Sequence, residues 1–187
     1  IDLGTGTGVL PLIGTSLGAG HMTGVEINDV MANLAQRSVT YNHKSDVISI
    51  VQGDYRTMSY HQFGPKPFDG VLVNPPYFDH HGGKVPGDSN LCLALHDMCT
   101  TIDDVCKSAS RLVKYKGYLW MVYSAPRLSE LMASLASTDF IIKRLRFIHG
   151  MIGKPAKIVL VEAIKGGKSS LIVEPPLVVY KKPNVYT

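Results

Sequence analysis

The chain has 187 residues, 45% apolar and 18% charged, which is enough to build one core and too apolar for intrinsic disorder. No apolar run approaches the roughly 18 residues of a membrane span, so a membrane protein is not expected. Three cysteines, an odd number, argue against a secreted disulfide scaffold and for a reducing, cytoplasmic setting.

Charge is unevenly placed. The formal net charge is +4, but residues 1–110 carry 6 Lys/Arg against 11 Asp/Glu (−5), and residues 111–187 carry 13 against 4 (+9). A basic half beside an acidic half points to a polyanionic partner such as nucleic acid, although scattered solvated lysines would give the same total.

In chain order, short β-rich runs alternate with helical patterns. The strand readings are His21–Glu26, Val47–Gln52, Phe68–Val73, Gly117–Tyr123, Phe140–Ile148 and Ala156–Ile164. Between them lie helical patterns at Val9–Leu17, Asp29–Asn42, Leu91–Val113 and Arg127–Ala136, with Asn28 or Asp29 as a cap for the second. Such alternation predicts an α/β fold, a mostly parallel sheet with helices on both faces. The last two strands are joined only by Gly150–Pro155. A parallel crossover needs a dozen or more residues, so these two strands must form a C-terminal antiparallel hairpin, expected at the sheet edge. Ile1-Asp2-Leu3 reads as the end of a truncated first strand whose earlier residues lie upstream. Residues 164–187, with Gly166-Gly167 and Pro175-Pro176, read as an extended C-terminal arm.

Two motifs carry chemistry. Asp2-Leu3-Gly4-Thr5-Gly6-Thr7-Gly8 leaves a strand and enters a helix, and its glycines permit a tight turn with close approach of a ligand. The G-x-G-x-G spacing departs from the dinucleotide fingerprint, and an acid stands two residues ahead of the first glycine. That combination suits a ligand with a cationic amino-acid end and a nucleoside, as in S-adenosylmethionine. Glu26 closes the next strand, 22 residues after Gly4, where a carboxylate accepts from ribose hydroxyls. Asp54, after Gly53, closes the third and is a candidate acceptor for an adenine amino group. Ile27 and Tyr55 follow these acids, and with Asp2, Gly4, Thr5, Gly6, Gly8 and Asn74 they complete the candidate cofactor site.

The second motif is Asn74-Pro75-Pro76-Tyr77, directly after Phe68–Val73. Two prolines remove two backbone donors and leave carbonyls exposed. Asn74 adds an amide oxygen, and Tyr77, with Phe78, adds a flat face. Such a loop holds a planar NH2 group while an aromatic ring stacks on its base. Asn74, Pro75, Pro76 and Tyr77 are therefore the candidate catalytic residues. Phe78, His80, His81 and the basic run Lys143, Arg144, Arg146 are candidate substrate contacts. On a predicted edge strand those three charges would also discourage edge-to-edge aggregation. Cys92, Cys99 and Cys106 recur every seven residues on the predicted helix, about 10 Å apart along its axis. That spacing excludes a disulfide and reads as core packing. No metal site is expected.

Asp2–Gly8, Glu26, Asp54 and Asn74–Tyr77 together resemble the signature of class I S-adenosylmethionine-dependent methyltransferases, in the subgroup acting on planar amino nitrogens. The resemblance implies a Rossmann-like seven-stranded sheet with its final hairpin antiparallel. A narrower resemblance is carried by Ala94-Leu95-His96-Asp97, Ser124–Leu128, Lys143–Phe147, Glu174–Tyr180 and Tyr186-Thr187, which look like bacterial tRNA1(Val) adenine-37 N6-methyltransferases. Those proteins usually show Ala-Arg-His-Glu where this chain has Ala94-Leu95-His96-Asp97. The resemblance implies S-adenosyl-L-methionine as cofactor, tRNA or another structured RNA as partner, and an adenine N6 amine as acceptor, in a monomer or weak dimer. A glutamine-amide protein methyltransferase, a guanine N2 transferase and a non-catalytic RNA-binding module are the competing readings.

Overall fold

The computed structural model describes residues 1–75, 100–182 and 185–187. The elements are β1 (Asp2–Leu3), α1 (Val9–Ser16), β2 (Met22–Glu26), α2 (Asp29–Tyr41), β3 (Ile48–Gln52), β4 (Phe68–Val73), α3 (Ile102–Leu112), β5 (Val113–Ser124), α4 (Leu128–Ser137), β6 (Phe140–Met151) and β7 (Ala156–Lys165). Three further strands follow: β8 (Ile172–Val173), β9 (Leu177–Lys182) and β10 (Val185–Tyr186).

All strands belong to one sheet ordered β10-β9-β6-β7-β5-β4-β1-β2-β3, with β8 also paired to β6. Strands β3, β2, β1, β4 and β5 run parallel, and β7 is antiparallel to both neighbours, β5 and β6. The antiparallel hairpin is present, but not at the sheet edge. Strand β7 inserts between β5 and β6, and the outer side of β6 is taken by β8 and β9, both parallel to it. The basic run Lys143, Arg144, Arg146 therefore lies on an interior strand. That strand is flanked by β7 on one side and by β8 and β9 on the other, so edge protection is not its role.

Strand periodicity divides the core between the two faces. Met22 and Val25 are three apart and so point oppositely. Val25 joins the large core with Val71, Leu119, Val159, Leu112, Leu131 and Phe140, under α3 and α4. Met22 joins Val39 and Ile48 under α1 and α2. Pro11 sits in the first turn of α1, where its missing N–H has no helical partner to lose. Asn28 caps α2 by accepting from the Met31 N–H at 3.1 Å.

Helix α3 begins later than the Leu91 reading. Thr101 has extended backbone and accepts from the Asp104 N–H, while Asp104 accepts from the Thr101 N–H, a reciprocal cap that sets the start at Ile102. Residues 91–99 of that reading, with Cys92 and Cys99, lie outside the described residues, as does the stretch Ala94–Asp97. Cys106 is fully buried, and burial pushes its thiol up to about 12, the behaviour of a core residue. Among the described residues no helix is long and apolar enough to cross a membrane.

Candidate functional site

Strands β1, β2, β3 and β4 are neighbours and parallel, so their carboxyl ends release four loops along one edge. In open α/β sheets that edge is where ligands sit. A cleft of about 180 Å3 opens there, with Gly4, Glu26, Asp54, Tyr55, Asn74 and Pro75 among its lining residues. Leu3, Ile27, Arg56 and Thr100 complete the lining. The glycine turn after β1 and the Asn-Pro turn after β4 thus face one shared crevice. Pro76, Tyr77, Phe78, His80 and His81 lie outside the described residues.

The glycine turn is held by its neighbours. Gly4, Gly6 and Gly8 have φ of 71°, 56° and 82°, in the left-handed region that side-chain-bearing residues avoid. Around Gly4 and Gly6 a Cβ would meet nothing within 4 Å, so the turn is open where a ligand would approach. At Gly8 a Cβ would come within 3.2 Å of Ala35 on α2, so this glycine also lets two helices close together. The N–H groups of Gly4 and Thr5 both donate to the Val25 carbonyl at 2.9 Å. Glu26 fixes the far side: Oε2 accepts from the Gly6 N–H at 2.8 Å and Oε1 from the Asn28 N–H at 3.0 Å. Each carboxylate oxygen keeps a second lone pair for a ligand hydroxyl.

Asp2 is 1% exposed. The Thr5 hydroxyl donates to its Oδ2 at 2.6 Å, and among the described residues Oδ1 has no hydrogen-bond partner. Gly24 makes room for this pair, since a Cβ there would fall 2.8 Å from the Thr5 side chain. Burial pushes the Asp2 carboxyl up to about 6, against the Thr5 bond, which pulls it down. A buried acid with one unsatisfied oxygen at the base of an open glycine turn fits a cationic ammonium group. Glu26 fits a diol. That donor and acceptor set matches S-adenosylmethionine at its amino-acid and ribose ends.

Asp54 has a more committed position than the sequence reading gave it. Its carboxylate is clasped by Arg56, with Nε at 2.9 and 3.0 Å and Nη2 at 2.7 Å, and it accepts the Arg56 N–H at 2.9 Å. Arg111 on α3 then fastens the same turn, donating to the carbonyls of Met58 (2.6 Å), Tyr55 (3.0 Å) and Arg56 (2.8 Å). Arg56 stands only two residues from Asp54, whereas Arg111 carries no local sequence signal because it acts across more than fifty residues of chain.

The basic run is placed elsewhere. Lys143, Arg144 and Arg146 stand on β6, separated from β4 by β7 and β5. Arg144 pairs with Glu174 and, at 3.7 Å, with Glu162. Arg146 donates to the Pro175 carbonyl at 3.2 Å, and Lys143 donates to Ser170 Oγ at 2.7 Å and to the Lys168 carbonyl. These cations fasten the C-terminal segment onto the sheet. Among the described residues no group of three His, Cys, Asp or Glu side chains is placed to hold a metal ion.

Comparison with known proteins bears on this geometry. Residues 1–167 match the family described as "Methyltransferase domain". The chain is 27% identical over 164 residues to a tRNA1(Val) (adenine(37)-N6)-methyltransferase of Porphyromonas gingivalis, covering 87% of this chain and 64% of that protein. It is 23% identical over 156 residues to one of the same name from Shewanella sp. strain MR-4, covering 83% and 65%. The chain thus spans just under two thirds of the length of these relatives. A structure described as a predicted O-methyltransferase from Agrobacterium tumefaciens superposes with a TM-score of 0.72 at 24% identity, covering all of this chain and 83% of that one. With a match over nearly its whole length, the chain belongs to the methyltransferase-domain family.

Proposed function

We propose that the chain transfers a methyl group from S-adenosylmethionine to the N6 amino group of an adenine in RNA, with tRNA as the substrate. The observation that carries this reading is the shared cleft, which Gly4 of the cofactor turn and Asn74-Pro75 of the amine-binding turn both line. The names of the two bacterial relatives support the choice of acceptor, and the +9 charge of residues 111–187 supports a nucleic-acid partner.

S-adenosylmethionine, when bound, supplies an electrophilic methyl group on a positively charged sulfur. Asp2 and the turn from Gly4 to Gly8 hold its amino-acid end, and Glu26, beside Ile27, holds its ribose. Asp54 and Tyr55 bound the adenine end, with Arg56 holding Asp54 in place. At the acceptor, the Asn74 amide oxygen and the Pro75 carbonyl take the two hydrogens of the amine. An adenine amine is a poor nucleophile because its lone pair is delocalised into the ring. Two acceptors fix its orientation and favour electron density on nitrogen, so rate comes from positioning and preset dipoles. Pro76 adds a second residue without an N–H after Asn74, and Tyr77 is assigned to stack on the extruded base. The amine becomes acidic once methylated, and its proton leaves along the same acceptors. A cytoplasmic setting suits this role.

The test is methylation of bulk tRNA from a strain lacking the protein, followed by nucleoside analysis. Labelled N6-methyladenosine is expected. Label on a release-factor glutamine instead would transfer the same cleft to a protein amide.

A further inference from the structure

Strand β5 neighbours β4, and its carboxyl end, Ser124, releases a loop on the same edge as Asn74. The β6–β7 turn, residues 152–155, projects there too, because His149 pairs Ala156 two positions beyond the Ser124–Ile158 pair. Strand β9 runs parallel to β6 with Tyr180 opposite Met151, so its end also reaches this edge. Among these elements lies a groove of about 630 Å3 floored by Pro126, Met151, Pro155 and Tyr180 and flanked by Lys154 and Lys157. Both lysines are exposed, and among the described residues neither is paired with a carboxylate. Lys181 and Lys182 follow Tyr180, equally exposed and without an ion pair among the described residues. Tyr180 gives the groove an aromatic face, and its ring is backed by that of Tyr186 with centroids 4.9 Å apart.

We infer that this groove binds the RNA strand flanking the target nucleotide, with Lys154 and Lys157 on phosphates and Tyr180 against a base. The inference rests on RNA being the substrate, and it assigns the contact to this surface rather than to Lys143, Arg144 and Arg146, each of which already donates to the C-terminal segment. The groove lies about three strand spacings, roughly 14 Å, along the edge from the cleft, within reach of a strand whose extruded base enters beside Asn74. Unpaired cations around an apolar, tyrosine-walled trough match a polyanion with π faces. A protein partner would have to leave these ammonium groups paired or solvated.

The experiment measures bulk tRNA binding by fluorescence anisotropy across a salt series, with S-adenosylmethionine affinity measured in parallel by calorimetry. For K154E/K157E, tRNA affinity is expected to fall about tenfold or more and the salt slope to shrink by about 0.7 per lost contact. Cofactor affinity should be unchanged, and K154R/K157R should bind tRNA like the wild type. Y180A is expected to weaken binding about tenfold without altering the slope. If the wild type binds tRNA and K154E/K157E binds it with the same affinity and slope, the groove assignment is overturned while the RNA reading stands. If the wild type binds no tRNA, the RNA reading falls and takes the groove assignment with it.

Discussion

The backbone N–H of Gly6 donates to Glu26 Oε2 at 2.8 Å, so the acid that closes β2 braces the glycine turn that leaves β1. The same carboxylate takes the Asn28 N–H at the start of α2. One side chain thus ties together the glycine turn, the end of a central strand and a helix N-terminus, where a negative charge is also favoured by the helix dipole. The preset shape of the turn depends on an acceptor at both oxygens.

Glu26→Gln replaces one of those acceptors with an NH2 group, which must face a backbone N–H. One donor is then left unsatisfied at a site that is nearly buried, at a cost of about 1–3 kcal/mol. Urea denaturation should show that loss, and calorimetry should show S-adenosylmethionine binding weakened at least tenfold. Wild-type values for both would mean the bracing contact is dispensable.

Asp2 makes a pH-dependent prediction. Its folded pKa, raised by burial to about 6 from 3.8, means the native state binds the proton more tightly than the unfolded chain. Stability from this group is therefore full below about pH 4 and lost as pH rises through about 6. Above that, Asp2→Asn should stabilise the ligand-free protein, by up to about 3 kcal/mol. Cofactor binding has the opposite sense: a cationic ammonium group favours ionised Asp2, so affinity should rise from pH 5 to 7 and lose this rise in Asp2→Asn. Melting temperatures across pH 4 to 8 and titrations at pH 5, 6 and 7 check both halves.

The turn bearing Asp54 depends on a residue far away in the chain. Arg111 donates to three carbonyls between Tyr55 and Met58. Arg111→Met keeps the aliphatic stem and removes the fork. Because the guanidinium is partly solvated, the loss should be about 1–2 kcal/mol in urea denaturation. Arg111→Lys supplies one ammonium for three diverging acceptors and should not restore the wild-type value. Cofactor affinity should fall in both variants as the turn loosens.

What the sequence makes legible follows the range of each interaction. The glycine turn, the Asn28 cap and the antiparallel sense of the last hairpin are local: a positive φ, an N–H three residues on, a connection too short for a crossover. Periodicity alone carries the third helix back to Leu91, yet the Thr101–Asp104 box stops it at Ile102, and that signal lay in the sequence. The insertion of β7 between β5 and β6 is different, since nothing local says which neighbour a strand chooses. Likewise, Lys143, Arg144 and Arg146 look like free cations in one dimension. Arg144 finds Glu174 only because β8 and β9 fold back along β6. For the same reason Lys154 and Lys157, which have no carboxylate partner among the described residues, stand out only once those pairings are known.

Asn74 carries the sharpest prediction. It follows β4 directly and lines the cleft with Gly4, while the residues assigned to the cofactor's amino-acid and ribose ends, Asp2 and Glu26, belong to β1 and β2. Removing its amide should therefore separate chemistry from binding. Asn74→Ala should lower single-turnover transfer to tRNA by about 10²- to 10³-fold, the effect of losing one preset dipole at a reacting centre. Its affinity for S-adenosylmethionine should change by less than about tenfold. Asn74→Asp keeps an acceptor but adds a charge beside Asp54, so partial transfer is expected, more than in the alanine variant. If Asn74→Ala turned over like the wild type with cofactor saturating, the amine would have to be held by other groups, and the facing of the two turns would be a property of the fold alone.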